Sequence, residues 1–277
     1  MSPIHDQSYR HYVGGKALPG RAWTVIARAG ILNTLKKRVF LGLLLVGWAQ
    51  FVVRAIIFYI SISFRQLAPT ASTFREFLDM QGFAVFIITV YVGAGLIAND
   101  RRANALQIYL SKPLMRSEYI AGKLAILFVF LTLVTLVPAL MLLLVQVILS
   151  GSFEFLQKNL FVIPAIIVAS VLQVVLASVT MLALSSLSKS ARFVAIMYVG
   201  ILFFTKAVFG VLYAITGTSA VSWVSLGDNL SQVMDVIFQQ HPRYATPWQV
   251  SLVVIVALIV VSLSILERRV RGVEVVT

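Results

Sequence analysis

Six long apolar segments most strongly constrain how this chain can fold. A transmembrane helix needs about 20 mostly apolar residues to cross the hydrocarbon core of a bilayer, and hydrophobic residues make up 60% of the 277. The sequence therefore predicts an all-α polytopic membrane protein with six transmembrane helices. Pro138 should kink the third helix because it lacks a backbone donor. The predicted spans are Phe40–Ser63, Phe83–Ala98, Ile120–Leu149, Leu160–Leu187, Phe193–Ile215 and Trp248–Leu266.

The distribution of basic residues predicts the orientation. Of the 23 Lys and Arg residues, 17 lie in or beside the terminal segments, the second-to-third connection and the fourth-to-fifth connection. Four lie on the opposite side, and Arg54 and Lys206 lie within spans. Because cytoplasmic loops of membrane proteins are rich in Lys and Arg, both termini should be cytoplasmic. The net charge of +13 has the same origin and gives no reason to expect a nucleic-acid partner.

The chain before the first span has a helical pattern of its own. Residues 1–38 read as a cytoplasmic tail ending in an amphipathic helix, whose apolar residues are Trp23, Ile26, Ala27, Ile31 and Leu35. We expect this helix to lie at the membrane surface, with its apolar side among the headgroups. The alternative is a helix that simply begins the first span early.

Residues 39–277 should form the transmembrane domain, which includes a long outer loop before the last span. Between residues 217 and 249, apolar residues recur three or four positions apart, as a half-buried helix requires. These residues are Trp223, Leu226, Leu230, Val233, Met234 and Ile237. The loop therefore predicts a re-entrant or surface helix on the outer side.

The connection between the second and third spans, residues 98–124, is basic and predicts a short helix. Asn99 or Asp100 can cap its start, and Pro113 ends it by disfavouring helical backbone at the preceding residue. Its apolar side chains lie on both faces, Ala103, Leu106 and Leu110 on one, and Ala105, Ile108 and Tyr109 on the other. Such a helix, over about 99–112, suits burial between the membrane domain and a soluble partner. The alternative is a basic helix resting on lipid headgroups.

This connection resembles the corresponding loop of the ABC type-2 permease family, the membrane subunits of many bacterial exporters. In that family an acidic residue is followed by a Gly-Thr-Leu-like turn into a helix, a Pro, a basic residue and a Gly-Lys pair. The matching residues are Asp100, Asn104-Ala105-Leu106, Pro113, Arg116 and Gly122-Lys123. Asp stands here for the usual Glu, and Asn-Ala for Gly-Thr. The six-span layout and the long last outer loop are also similar to the family.

The resemblance implies a permease in the bacterial cytoplasmic membrane that pairs, among membrane lipids, with a second copy or a paralogue. A separate cytoplasmic ABC ATPase, which binds ATP and Mg, would grip the coupling helix. The implied ATPase-coupling residues are Asp100, Arg101, Arg102, Leu106, Tyr109, Leu110 and Pro113. This chain has no P-loop, in which the Lys precedes Ser or Thr, because Lys16 precedes Ala17 and Lys123 precedes Leu124. We expect no catalytic residue and no cofactor in this chain.

Arg54 and Lys206 lie within spans, where a cation costs about 2.5–3.5 kcal/mol at a helix centre. No span carries Asp or Glu near its middle to pair with them. One interpretation is that both side chains snorkel to the headgroups or contact carbonyls. The other is that they line a substrate path for an anionic head group together with Gln50, Gln146 and Gln173. Each cation lies about 20 Å from the start of its span, so we expect both to face the bundle interior or a subunit seam.

Other function classes remain open from the sequence. An ion-coupled secondary carrier usually needs intramembrane carboxylates or repeated broken helices, and the sequence shows neither. A membrane-embedded enzyme needs a catalytic constellation, and the spans contain none. A non-transporting scaffold could recruit a soluble protein through the same loop. The chain has no cysteine and only three scattered histidines, His5, His11 and His241, so we expect no metal site.

Overall fold

The computed structural model describes residues 21–64, 70–105 and 115–271. The regular elements within these ranges are helices. A π-helix, Thr89–Gly93, follows α3, and a 3-10 helix, Ser219–Val224, precedes α10. The α-helices are α1 (Ala22–Leu35), α2 (Arg38–Ser63), α3 (Ala71–Ile88), α4 (Ala98–Arg102), α5 (Arg116–Val134), α6 (Leu136–Ser150), α7 (Glu154–Lys158), α8 (Val162–Leu187), α9 (Ala191–Thr216), α10 (Leu226–Ile237) and α11 (Trp248–Arg271).

Six helical stretches are long and apolar enough to cross a membrane, which confirms the predicted all-α polytopic architecture. Six crossings return the chain to the side on which the first begins. We call the side of Arg38 the near side and the side of Ser63 the far side. The cytoplasmic location of the near side stays a prediction. The stretches are Arg38–Ser63, Ala71–Arg102, Arg116–Ser150, Val162–Leu187, Ala191–Thr216 and Trp248–Val270.

The second crossing helix begins earlier than the sequence predicts, at Ala71 instead of Phe83. The prediction was wrong because Arg75 and Asp79 gave residues 71–82 the composition of a polar loop. In the structure both charges are paired, so the helix carries them without leaving them isolated. Arg75, counted as a loop cation in the sequence, has a fully buried side chain.

The helix is interrupted near Pro138, where the sequence predicts a kink, because α5 ends at Val134 and α6 begins at Leu136. A proline has no N–H for the carbonyl four residues earlier, which is that of Val134. The side-chain amide of Gln81 instead donates to this carbonyl, and also to the carbonyl of Gly47 at 2.8 Å. Gln81 on α3 therefore links α2 and α5 at the level of the break.

Helix α1 packs closely against α5. Ile26 and Ile31 of α1 contact the buried cluster of the near half. The Ala22 N–H donates to Glu118 Oε1 at 3.2 Å, while Glu118 Oε2 accepts from the Met115 N–H at the start of α5. The helix itself agrees with the sequence pattern, and its location at a membrane surface stays a prediction.

We expect Gly122→Ala to lower the free energy of unfolding by about 1–3 kcal/mol, because overpacking strains a tight contact. A Cβ at Gly122 would lie 2.8 Å from Ile26 Cβ and 3.0 Å from the Trp23 carbonyl oxygen, so α1 would have to shift. Gly200→Ala is the matched control, since a Cβ there meets nothing within 4 Å. Thermal unfolding in detergent measures both. A G122A protein as stable as G200A would contradict the close packing of α1 on α5.

A hairpin of the 3-10 helix and α10 fills the far half of the helix bundle. Ser225 Oγ accepts from the Asp228 N–H and caps α10. The side chains of Asn229 and Gln232 donate to carbonyls of the adjoining loops, as irregular backbone among transmembrane helices requires. The apolar residue Met234 joins the buried cluster formed with Phe58, Phe74, Ala139 and Ile166. The predicted half-buried helix is therefore present.

Candidate functional site

A cavity of about 590 Å³ lies in the far half, between α3, α8, α9 and α10. Much of its wall is apolar and includes Phe83, Phe86, Leu176, Tyr198, Leu202, Phe203 and Leu258. The polar side chains of the wall are those of Asp79, Gln173, Thr180, Lys206, Ser225, Asp228, Ser231, Arg243 and Tyr244. A mostly apolar cavity of about 300–1,000 Å³ with a few convergent polar groups is typical of a small-molecule site.

Lys206 forms the most direct charge contact in the cavity wall. Its Nζ lies 2.6 Å and 2.8 Å from the two carboxylate oxygens of Asp228, and 5.2 Å from the ring centroid of Phe209. Tyr244 donates from its hydroxyl to Asp228 Oδ1 at 2.8 Å. Burial and then this hydrogen bond raise the pKa of Tyr244, so its hydroxyl stays protonated and remains a donor.

The partner of Lys206 corrects the expectation that no acid would pair with this cation. That expectation considered only Asp and Glu within the predicted spans, whereas Asp228 comes from α10. Lys206 lies about 15 Å along the helix axis from the far end of α9. The start of α10 therefore reaches into the bundle beside α9 and does not merely cover its end.

A second charge network joins α3, α10 and the loop before α11. Arg75 lies 2.9 Å from Asp79 and also forms an ion pair with Asp235. Arg243 contacts the same two acids, Asp79 at 3.1 Å and Asp235 at 3.2 Å. Burial acts against the charged form of Arg243, but the carboxylates outweigh it and raise its pKa. The two cations and two anions thus hold α10 on α3.

The other predicted path residues do not reach the cavity. Arg54 lies 3.4 Å from Glu76 and 3.3 Å from the Met80 sulfur on α3, with 11% of its side chain exposed. Arg54 therefore also has an acidic partner. Gln50 is half-buried on α2 and Gln146 is buried on α6, and neither lines the cavity.

The predicted path residues Gln173 and Lys206 share the cavity wall. Gln173 is 5% exposed, and its Oε1 has no hydrogen-bond partner in the part of the chain that the structure describes. The same holds for the hydroxyl of Thr180, two helical turns along α8. The predicted path is therefore divided between this cavity and separate positions on α2 and α6.

On the near side, Asp100 ties the second crossing helix to the third. Its Oδ2 accepts from the Tyr119 hydroxyl at 2.8 Å and lies 2.7 Å from Lys123 Nζ. Lys123 Nζ also lies 5.5 Å from the ring centroid of Tyr119. The capping prediction was wrong, because α4 begins at Ala98 with no side-chain cap and Asp100 lies in its first turn. Asp100 joins two helices instead.

The remaining predicted coupling residues are only partly described. Arg101 donates to the carbonyl of Ser186 at the end of α8, and Arg102 is exposed. Asn104 has a left-handed backbone with φ 53°, which ends α4 in a sharp turn. Leu106, Tyr109, Leu110 and Pro113 lie outside the described residues.

An irregular segment of the second crossing helix lies between the cavity and Asp100. It comprises the π-helix and the turn that follows it, before α4 begins. Ser185 on α8 satisfies its backbone, because Ser185 Oγ accepts from the N–H groups of Ile97 and Ala98, each at 3.1 Å, and donates to the Ala94 carbonyl at 2.9 Å. π-Helical segments occur frequently at functional sites.

The sequence contains a signal for the buried polar side chains of α10, which the predicted site residues do not include. Asp228, Gln232 and Asp235 lie four and three residues apart, so they share one face of α10. All three side chains are buried. A polar stripe on a helix that also has an apolar stripe indicates that both faces have partners.

No family model matches the sequence, and no curated protein matches it significantly. The described residues contain no group of three His, Asp or Glu side chains placed to hold a metal ion. A functional assignment therefore depends on the geometry of the two sites and on the motif around Asp100.

Proposed function

We propose that this chain is the permease subunit of an ATP-binding-cassette transporter, of the exporter type, that works with a separate cytoplasmic ATPase. The observation that carries the proposal is the contact of Asp100 with Lys123. Both residues belong to the motif that resembles the ABC type-2 permeases, and their side chains lie 2.7 Å apart. The ion pair joins the two ends of the connection that contains residues 106–114.

A connection whose two ends are joined can transmit the movement of a soluble ATPase to the membrane helices. A partner that pushes on residues 106–114 moves α4 and the start of α5 together, since Asp100, Tyr119 and Lys123 bind one another. The displacement continues through the irregular segment held by Ser185. It then reaches α3, which contributes Asp79, Phe83 and Phe86 to the cavity.

One observation favours a second candidate, an ion-coupled secondary carrier. The Lys206–Asp228 pair places a carboxylate beside a transmembrane helix, which is the kind of group that proton or sodium coupling uses. The two functions differ in their energy source. Transport in vesicles that persists without ATP and stops when the ion gradient is collapsed would favour the carrier.

A charge swap tests the proposed coupling. We expect Asp100→Lys and Lys123→Asp each to remove most of the ATPase that co-purifies with the chain, because like charges then face each other across the connection. The double variant D100K/K123D restores the pair and should restore most of the association. The measurement is the amount of ATPase recovered per permease in detergent.

The matched control for this swap is E154K with K158E, which exchanges an exposed pair on the far side. It should leave the recovered ATPase unchanged. Full association of the ATPase with both single variants, D100K and K123D, would show that the connection does not carry the coupling.

A further inference from the structure

We propose that the far-half cavity binds an anionic amphiphile, with the anionic head at Lys206 and Arg243 and the apolar chain between α3 and α9. Binding of this ligand does not depend on an ATPase. Its role as the transported substrate rests on the proposed function.

The charge on the cavity wall favours an anion, although the formal charges balance. Lys206 is 57% exposed and Arg243 is 40% exposed, whereas Asp228 is 8% exposed. Asp235, which pairs with Arg243 but does not line the cavity, is 3% exposed. The acids are thus largely covered by their partners, and the cations present open N–H groups.

Asp79 is exposed to a similar extent, at 37%, but its oxygens are already engaged. They lie within reach of Arg75 Nη1 at 2.9 Å, Arg243 Nη1 at 3.1 Å and the Ser231 hydroxyl at 3.1 Å. Arg243 uses Nε and Nη1 in its ion pairs, and 40% of its side chain remains exposed. The hydrogen-bonding groups of the wall that remain available are therefore donors, and an anionic head group can accept hydrogen bonds from them.

Asp228 does not depend on Lys206 alone. Tyr244 donates to Oδ1, and the backbone N–H of Asp228 is held by Ser225. Lys206 carries three N–H donors, so it can bind an anion while one of them remains on Asp228. The ion pair holds the Lys206 ammonium group in the cavity wall and neutralises the Asp228 carboxylate.

The apolar wall fits a hydrocarbon chain. Phe86 contacts the rings of Tyr198 and Phe203 at centroid distances of 6.1 Å and 6.3 Å, so α3 and α9 meet at this level. Phe83 and Phe203 also line the cavity, and both rings are largely exposed. An apolar chain in the cavity can therefore pack against accessible aromatic surface of α3 and α9.

A polar side chain of the wall lacks an internal partner for its oxygen in the described part of the chain. Gln173 is more than nine-tenths buried in the cavity wall, with Oε1 unpartnered among the described residues. Leaving such a group unsatisfied is costly. A rotation of this side chain toward the cavity would let its amide bind a polar group of the ligand.

Native mass spectrometry of the purified full chain in detergent tests the proposal. The probes are dioleoylphosphatidylglycerol and dioleoylphosphatidylcholine, which share acyl chains and differ in head-group charge. We expect the anionic lipid to bind about tenfold more tightly, and Lys206→Gln to remove most of this preference, as the loss of a charge-assisted hydrogen bond predicts. Lys206→Arg should retain it, and so should the matched control Lys158→Gln, a lysine that pairs with Glu154 outside the cavity.

Three outcomes would overturn the proposal. The first is equal binding of the two lipids by the wild-type chain. The second is a K206Q protein that retains the preference while its thermal unfolding matches that of K158Q. The third comes from competition with sn-glycerol 3-phosphate, which distinguishes a bound lipid from a bound free anion. Displacement of the lipid by this soluble head group at equal concentration would assign the site to a free anion and contradict an amphiphile site.

If the lipid does not bind, the amount of ATPase recovered with the chain is unchanged. If the ATPase does not associate, lipid binding is unchanged. The two proposals can therefore fail separately. Stimulation of ATP hydrolysis by phosphatidylglycerol in the wild-type complex, absent in K206Q, would identify the bound amphiphile class as transported. Binding without stimulation would identify it as a resident lipid of the same site.

Discussion

Replacing Leu106 and Leu110 with aspartate is expected to abolish association with the ATPase while the chain still inserts into the membrane. The sequence places both residues on one apolar face of the predicted coupling helix. An unpaired charge buried at an interface costs several kcal/mol, which is enough to remove a typical complex. The measurement is the ATPase recovered per permease at matched membrane expression.

The control for this variant is Leu160→Asp, which changes an exposed leucine at the far end of the bundle. It should leave the recovered ATPase unchanged. If the L106D/L110D protein brings down as much ATPase as the wild type, the docking face lies elsewhere in the chain.

Replacing Asp235 with asparagine is expected to lower the free energy of unfolding by about 1–3 kcal/mol, the range for removing one partner of a buried polar group, because Arg75 keeps Asp79 as a second acidic partner. Arg75 has no exposed side-chain surface and binds Asp235 directly. Asparagine keeps the volume of the side chain, so the loss reports the charge. The measurement is unfolding in mixed micelles of increasing sodium dodecyl sulfate content.

Glu154→Gln is the comparison for D235N because it removes one charge from an exposed ion pair. Exposed pairs contribute little to stability, and we expect no measurable change. A D235N protein that unfolds together with E154Q would show that Asp79 alone compensates the charge of Arg75.

The crossing helices could be predicted from the sequence because length and apolar composition determine them. The break near Pro138 also followed from a local rule, since proline removes one backbone donor. The start of the second helix at Ala71 could not be predicted in this way. Arg75 and Asp79 are acceptable there because Asp235 and Arg243 pair with them, and these partners are more than 150 positions away in the chain.

The cavity was only partly predictable for the same reason. Lys206 and Gln173 were selected as polar residues within spans, and they share a wall. Arg54 and Gln146 met the same criterion, yet their helices carry them to other places. Asp228 was read as part of an outer loop, because the sequence does not show that α10 folds back beside α9. In each case, contacts between elements that are distant in the chain determine where the side chain lies.

In the proposed function, a separate ATPase drives this chain through the connection between the second and third crossing helices. The most direct measurement is to purify the tagged chain from its native membrane in mild detergent and to identify the proteins that accompany it. We expect a protein with a P-loop that hydrolyses ATP, recovered in about equal amount and lost from the L106D/L110D variant. Recovery of the chain with no ATP-hydrolysing partner, together with transport that follows an ion gradient, would contradict the proposed function.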